Sequence, residues 1–205
     1  MSSALVTAIL VLGLAVVVAR RRSVVIAFVA AQSGLLGIGA LELAADRSSE
    51  FLVASGVLLV KALVLPALLL YAMRRTREPR LVAPAVNAPV RLAIAGALAL
   101  SAAALVPPLG LDDPYVEQTA VALVLGGITV VALRRPALVQ VVGMVVAENG
   151  VALLAISVPG GLSYVIEIGA LFDLALVVTV ATAFAQRIHA ELGSGDTELL
   201  RGLRD

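Results

Sequence analysis

Residues 137–158 read ALVQVVGMVVAENGVALLAISV, with a single ionisable residue, Glu148, at the middle of an otherwise apolar stretch. A helix needs about 20 apolar residues to cross a bilayer, and this stretch is long enough. Charge in hydrocarbon is costly and rare unless the group has a partner or a task. Two further apolar stretches carry a central charge, Lys61 in one and Asp173 in the other. These three residues therefore point to a membrane fold and to a function inside the membrane.

The composition excludes several classes of protein. Of the 205 residues, 61% are hydrophobic and 14% are charged, and the mean hydropathy is +1.07, so the chain cannot be a soluble domain with a polar surface. The net charge of +1 and the lack of interleaved basic and aromatic residues argue against binding to nucleic acid. With no cysteine and one histidine, we expect no cofactor and no metal site in this chain.

We predict an all-α polytopic membrane protein with seven transmembrane helices. The arginines lie almost entirely in alternate loops and in the C-terminal tail, and the opposite loops are acidic. Because basic loops stay in the cytoplasm, the N-terminus is expected outside and the C-terminus in the cytoplasm. The predicted spans are residues 4–19, 23–45, 51–73, 90–106, 116–133, 137–158 and 162–186.

A weak internal repeat relates the first three spans to the last three. It divides the single transmembrane domain into a three-helix unit at 1–80, a connecting helix at 90–107, a second unit at 116–190 and a tail at 191–205. One helix separates the two units, so they share an orientation and form a parallel repeat. The overlay places Gln32-Ser33-Gly34 near Glu148-Asn149-Gly150, and Lys61 near Asp173.

The three central charges are predicted to share one depth. Each of Lys61, Glu148 and Asp173 lies 13 or 14 residues from an arginine at the cytoplasmic end of its span, which is about 20 Å along a helix. Isolated charges at that depth favour their neutral forms, so these groups could pass protons. Alternatively, Lys61 forms a fixed ion pair that holds helices in register, with one of these carboxylates or with one on another subunit.

Four other residues are candidates for supporting roles. Pro66 follows Lys61 by five positions and should kink the third span, which would free backbone groups to hold water. Asn149 and Gly150 follow Glu148 and supply a polar side chain and a point of close helix approach. Glu167 lies near the outer end of the last predicted span, either as the mouth of a proton path or as an interfacial carboxylate.

Several motifs in the last 90 or so residues resemble the hydrogenase-4 component E (HyfE) family. That family is similar to NuoK, a small subunit of respiratory complex I, and to the antiporter subunit MrpC. The last three spans look NuoK-like: Asp173 falls on the second intramembrane glutamate of NuoK, whereas the first would fall on Val145, one helical turn from Glu148. The motifs are Arg134-Arg135-Pro136, Val142-Gly143-Met144, Ala147-Glu148-Asn149-Gly150, Glu167-Ile168-Gly169, Leu171-Phe172-Asp173-Leu174 and the tail from Arg187 to Thr197.

The resemblance implies a non-catalytic subunit in the membrane arm of a hydrogenase-4-like, complex I-related oxidoreductase complex. Its partners would be antiporter-like and heel-type membrane subunits and a peripheral nickel-iron hydrogenase or formate-linked module, in the cytoplasmic membrane of a bacterium or archaeon. Glu148, Asp173, Lys61 and Glu167 would then contribute to proton translocation. Two alternatives stay open: an MrpC-like subunit of a multi-subunit sodium/proton antiporter, and a purely structural spacer in the membrane arm. We expect no enzymatic activity from the chain by itself, because it has no nucleophile–base pair and no metal motif.

Overall fold

The structure, a computed structural model, describes residues 1–44, 49–75, 86–105, 111 and 113–158, and these residues form an all-helical bundle. Each helix begins and ends within two residues of a predicted span. The seventh predicted span lies outside the described residues, as do Asp173 and Glu167. The helices are α1 (Ser3–Val18), α2 (Arg22–Ala44), α3 (Ser49–Arg75), α4 (Ala88–Leu105), α5 (Pro114–Leu133) and α6 (Ala137–Ser157).

Four stretches among these helices are long and apolar enough to cross a membrane. They are Arg22–Leu43 in α2, Ala88–Leu105 in α4, Pro114–Leu133 in α5 and Leu138–Ser157 in α6. Helix α1 and the apolar part of α3, Ser55–Tyr71, are shorter apolar helices. The chain is therefore a membrane protein, and each described helix coincides with a stretch that its hydropathy marks as apolar.

Several polar side chains lie inside the bundle beside its apolar core, and many large apolar side chains lie on its outside. Leu63 on α3 is 75% exposed and Leu100 on α4 is 74% exposed. By contrast, Lys61, Gln32 and Asn149 are buried among the helices. Such a distribution would be unfavourable in water, whereas lipid solvates an apolar surface and leaves polar groups to satisfy each other inside.

Polar contacts fix the relative directions of α1, α2 and α5. Near the start of α1, the Thr7 hydroxyl is 2.9 Å from the Tyr115 hydroxyl at the start of α5, so these helices run parallel. The Ser2 backbone N–H donates to Glu42 Oε2 near the end of α2 at 3.3 Å, so α2 runs antiparallel to α1. At the opposite end of the bundle, Arg134 donates to the backbone carbonyl groups of Val17 and Ala19, where α1 ends. We call that end the arginine end.

Helices α5 and α6 approach each other most closely, at their glycines. A Cβ placed on Gly127 would lie 2.5 Å from both the backbone N of Ala147 and the backbone O of Gly143. A Cβ on Gly150 would lie 2.7 Å from the backbone O of Ala120. Since real Cβ atoms keep longer distances, only glycine allows the two backbones to come this close, as is common where membrane helices pack. This packing holds α6 in place and sets the position of its polar residues.

Candidate functional site

The polar core of the bundle contains an ion pair between α3 and α6. Lys61 Nζ on α3 contacts Glu148 Oε2 on α6. The Lys61 side chain is 1% exposed and that of Glu148 is 24% exposed, although the Glu148 Oε2 atom itself is buried. The two charges that the sequence places at one depth therefore meet, and each neutralises the other within the apolar interior.

Asn149 extends this ion pair into a network that reaches α2. The Lys61 ammonium group donates to Asn149 Oδ1 at 2.9 Å, and Asn149 Nδ2 donates to Gln32 Oε1 at 3.0 Å. The Ser33 hydroxyl lies 3.2 Å from Asn149 Oδ1 and 3.1 Å from Asn149 Nδ2, so it can donate to the first or accept from the second. We call Gln32, Ser33, Lys61, Glu148 and Asn149 the polar network.

The chemistry at its two ends fixes the direction of the hydrogen bonds in the polar network. Lys61 can only donate, so the Asn149 atom facing it must be the carbonyl oxygen. At the other end, Gln32 Nε2 donates at 3.0 Å to the backbone carbonyl of Ile9 on α1, which can only accept. Donation therefore runs in one sense, from Lys61 through Asn149 and Gln32 to Ile9. Neither side-chain amide can flip without putting two donors or two acceptors face to face.

Helical geometry explains how three consecutive residues of α6 serve three neighbours. Successive side chains on a helix point about 100° apart. Glu148 contacts Lys61 on α3, and Asn149 also contacts Gln32 on α2. Gly150 lies against α5, where a Cβ would meet the backbone of Ala120. The sequence Glu-Asn-Gly thus gives one turn of α6 a charged contact, an amide contact and a close backbone contact.

The structure brings together three of the residues that the sequence marks as functional: Lys61, Glu148 and Asn149. Gly150, proposed as a point of close approach, lies against α5. Pro66 is buried within α3, and the helix continues through it. The remaining candidates, Asp173 and Glu167, lie outside the described residues.

Sequence reasoning did not assign Gln32 and Ser33 to the site, although both are almost fully buried and bond to Asn149. A signal was available: both are polar residues inside an apolar span, and the internal repeat aligns Gln32-Ser33-Gly34 near Glu148-Asn149-Gly150. In the structure these two aligned stretches lie against each other, because Ser33 bonds to Asn149. The two polar pairs that the repeat aligns therefore contact each other directly.

Two arginines at the arginine end of the bundle are buried, a feature that the sequence analysis did not predict. Arg91 is 0% exposed in the first turn of α4, and Arg134 is 1% exposed at the end of α5. Burial, together with the smaller effects of the nearby charges of Arg91 and Arg20, lowers the pKa of Arg134 to about 10. Both are buried because their guanidinium groups bond to carbonyl groups where α1 ends. Arg134 still remains protonated at neutral pH.

Among the described residues, no group of three or more histidine or acidic side chains could hold a metal ion. The ionisable groups of the polar network are one ammonium and one carboxylate. Such a pair can exchange a proton between nitrogen and oxygen, or it can stay fixed and hold α3 to α6.

Comparison with known proteins finds a mycobacterial relative. The chain is 34% identical over 154 residues to the uncharacterized protein Rv0085 of Mycobacterium tuberculosis, and the matched region covers 73% of this chain and 70% of the relative. No protein-family model matches the chain. No solved structure matches it either.

Proposed function

The chain belongs to the same family as the Mycobacterium tuberculosis protein Rv0085, and we propose that it is a non-catalytic membrane subunit that contributes to proton translocation. The complex would be hydrogenase-4-like and related to complex I, with antiporter-like and heel-type membrane subunits and a peripheral hydrogenase or formate-linked module. The observation that carries the proposal is the polar network, in which a buried lysine and a carboxylate meet inside an apolar bundle.

The ion pair supplies a simple proton-handling step. While Lys61 contacts Glu148, the adjacent cation favours the ionised form of the carboxylate. If a movement of α3 against α6 separates them, the carboxylate is left alone in a low-dielectric medium and takes up a proton. When the ammonium group returns, that proton leaves. Asn149 favours the return, because its Oδ1 holds the ammonium group beside Glu148 and is itself fixed by Gln32.

The proposal includes the wider arrangement that the sequence suggests. The bundle would have seven spans, with the arginine end in the cytoplasm and the N-terminus outside, and its last three spans would be NuoK-like. Asp173 on the seventh span would be the next carboxylate along the path, and Glu167 would lie towards its outer mouth. The Glu148 side chain is 24% exposed and is the more exposed of the two in the ion pair, which supports a continuation of the path beyond the described bundle.

The test replaces Glu148 with glutamine in the assembled complex. Inverted membrane vesicles are energised with hydrogen or formate, and proton uptake is followed by quenching of a pH-sensitive dye. Glu148→Gln should abolish the quench while the complex still co-purifies with its partners. Glu42→Gln is the matched control, because Glu42 is an exposed carboxylate near the end of α2 and lies outside the polar network. Normal pumping by an assembled Glu148→Gln complex would refute the proposal.

A structural role is the second candidate, and the nearly complete burial of Lys61 with its bond to Asn149 favours it. Removing one partner of a buried ion pair leaves an uncompensated charge, so a spacer should lose assembly in Glu148→Gln and regain it when Lys61 is also made neutral. A third reading, an MrpC-like antiporter subunit, predicts co-purification with antiporter subunits and no hydrogenase or formate-linked module. Mass spectrometry of the purified complex separates it from the first.

A further inference from the structure

The arginine end of the bundle contains two buried guanidinium groups without a carboxylate partner in the described part of the chain. Arg91 lies in the first turn of α4 and Arg134 follows α5, and both are almost fully buried. Arg20, just after α1, is exposed and close enough to influence the charge of Arg134. Three cations of like sign repel one another, so an arrangement of this kind is favourable only if something offsets that repulsion.

Backbone carbonyl groups at the end of α1 offset part of it. Arg91 Nη2 donates to the carbonyl of Val18 at 3.3 Å, and Arg134 Nη2 donates to the carbonyls of Val17, at 3.4 Å, and Ala19. The two guanidinium groups therefore flank one turn of backbone. They satisfy acceptors that a helix end leaves open, and they face the negative end of its dipole.

The carbonyl groups do not use all the donors. Arg91 Nε, Arg134 Nε and Arg134 Nη1 are buried and have no hydrogen-bond partner among the described residues. Buried donors in folded proteins are almost always bonded, and an unbonded donor on a charged group is the most costly kind. These three nitrogens therefore need an acceptor, and the positive charge around them favours an anion.

We propose that Arg20, Arg91 and Arg134 bind the phosphate group of an anionic membrane phospholipid. Guanidinium groups are suited to phosphate, because their planar forks donate to two oxygens at once. A phosphate presents its oxygens in tetrahedral directions, so it can receive donors from two side chains, whereas a carboxylate presents both oxygens in one plane. The cluster lies at the end of helices of membrane-spanning length, which is the level of lipid headgroups. Exposed Arg20 provides the approach from the bilayer surface.

The test measures lipid binding to the full-length chain in detergent, by native mass spectrometry and by the lipid-dependent rise in Tm. The probes are phosphatidylglycerol, phosphatidylcholine and inorganic phosphate. Phosphatidylglycerol should bind at least tenfold more tightly than either of the others. Arg20→Gln should weaken its binding about tenfold without unfolding the chain, because Arg20 is exposed and makes none of the contacts to α1. Arg134→Gln should abolish binding.

Arg74→Gln is the matched control. Arg74 is an exposed arginine at the same end of the bundle but outside the cluster, so its loss should leave lipid binding unchanged. Equal binding of phosphatidylcholine, or equal weakening by Arg74→Gln, would overturn the proposal. If inorganic phosphate binds as tightly as phosphatidylglycerol, the lipid proposal is overturned and the site binds a free anion. No effect of phosphatidylglycerol on any variant would also overturn it, and would assign the open donors to an acidic protein segment. Should Arg134→Gln fail to fold, Arg20→Gln remains decisive.

Discussion

Replacing Lys61 with methionine removes the cation from the polar network and changes the packing little, because methionine is also long and unbranched. The ion pair with Glu148 and the hydrogen bond to Asn149 are lost together. An uncompensated buried charge costs about 3–5 kcal/mol. Because the Glu148 side chain is 24% exposed, we expect a cost near the lower end of that range. The loss at Asn149 is near the low end of about 1–3 kcal/mol, since the Ser33 hydroxyl remains 3.2 Å from Oδ1. The free energy of unfolding should fall by about 4 kcal/mol.

The assay is unfolding in mixed micelles by increasing the mole fraction of denaturing detergent, followed by far-ultraviolet circular dichroism. The control is a double-mutant cycle with Glu148→Met. With both charges removed, the loss should shrink to about 1–2 kcal/mol, giving a coupling energy of more than about 2 kcal/mol between the two sites. A Lys61→Met chain that loses less than about 1 kcal/mol, or a double variant whose loss equals the sum of the single losses, would show that the ion pair is not the interaction that we describe.

Three further changes test the packing and hydrogen bonding. Gly127→Ala should lower the free energy of unfolding by about 2 kcal/mol or more, because its Cβ would meet the α6 backbone. The control Gly96→Ala, with no atom within 4 Å of the added carbon, should raise it by up to about 1 kcal/mol in the same detergent titration. Gln32→Leu should cost about 1–2 kcal/mol and speed amide exchange near the network; unchanged exchange there would argue against the bond to Asn149. Asp113→Ala should cost about 1 kcal/mol and fray the start of α5, visible in amide exchange, because its carboxylate caps that helix.

The helices could be predicted closely from the sequence, because the signals that end them are chemical and local. Ala19 to Arg21 separate α1 from α2, and Arg134 to Pro136 separate α5 from α6. In a bilayer, apolar length alone selects a helix, since every backbone group must bond within its own segment. Within the described residues, no helix boundary depended on a tertiary contact that the sequence could not reveal.

The candidate site was only partly predictable, for a physical reason. The cost of a charge in hydrocarbon marks Lys61 and Glu148 without any structure. Gln32 and Ser33 are neutral and carry a much smaller cost, so their presence in an apolar span is a weaker signal than a buried charge. The burial of Arg91 was also beyond prediction, because the positive-inside rule gives the side of the membrane and is silent on whether an arginine faces water or a helix end. Those details depend on which helices become neighbours.

The long sequence separation within the polar network has a consequence for biogenesis. Lys61 and Asn149 are 88 positions apart, so α3 emerges from the ribosome well before α6 has been synthesised. Until then Lys61 lacks its anion, and a lysine at the centre of a membrane helix costs about 2.5–3.5 kcal/mol on an insertion scale. Neighbours such as Leu58, Leu59 and Val60 each recover about 0.3–0.6 kcal/mol on the same scale, so these three together offset only part of that cost. The ion pair and the hydrogen bond of Lys61 can therefore form only after α6 has been synthesised.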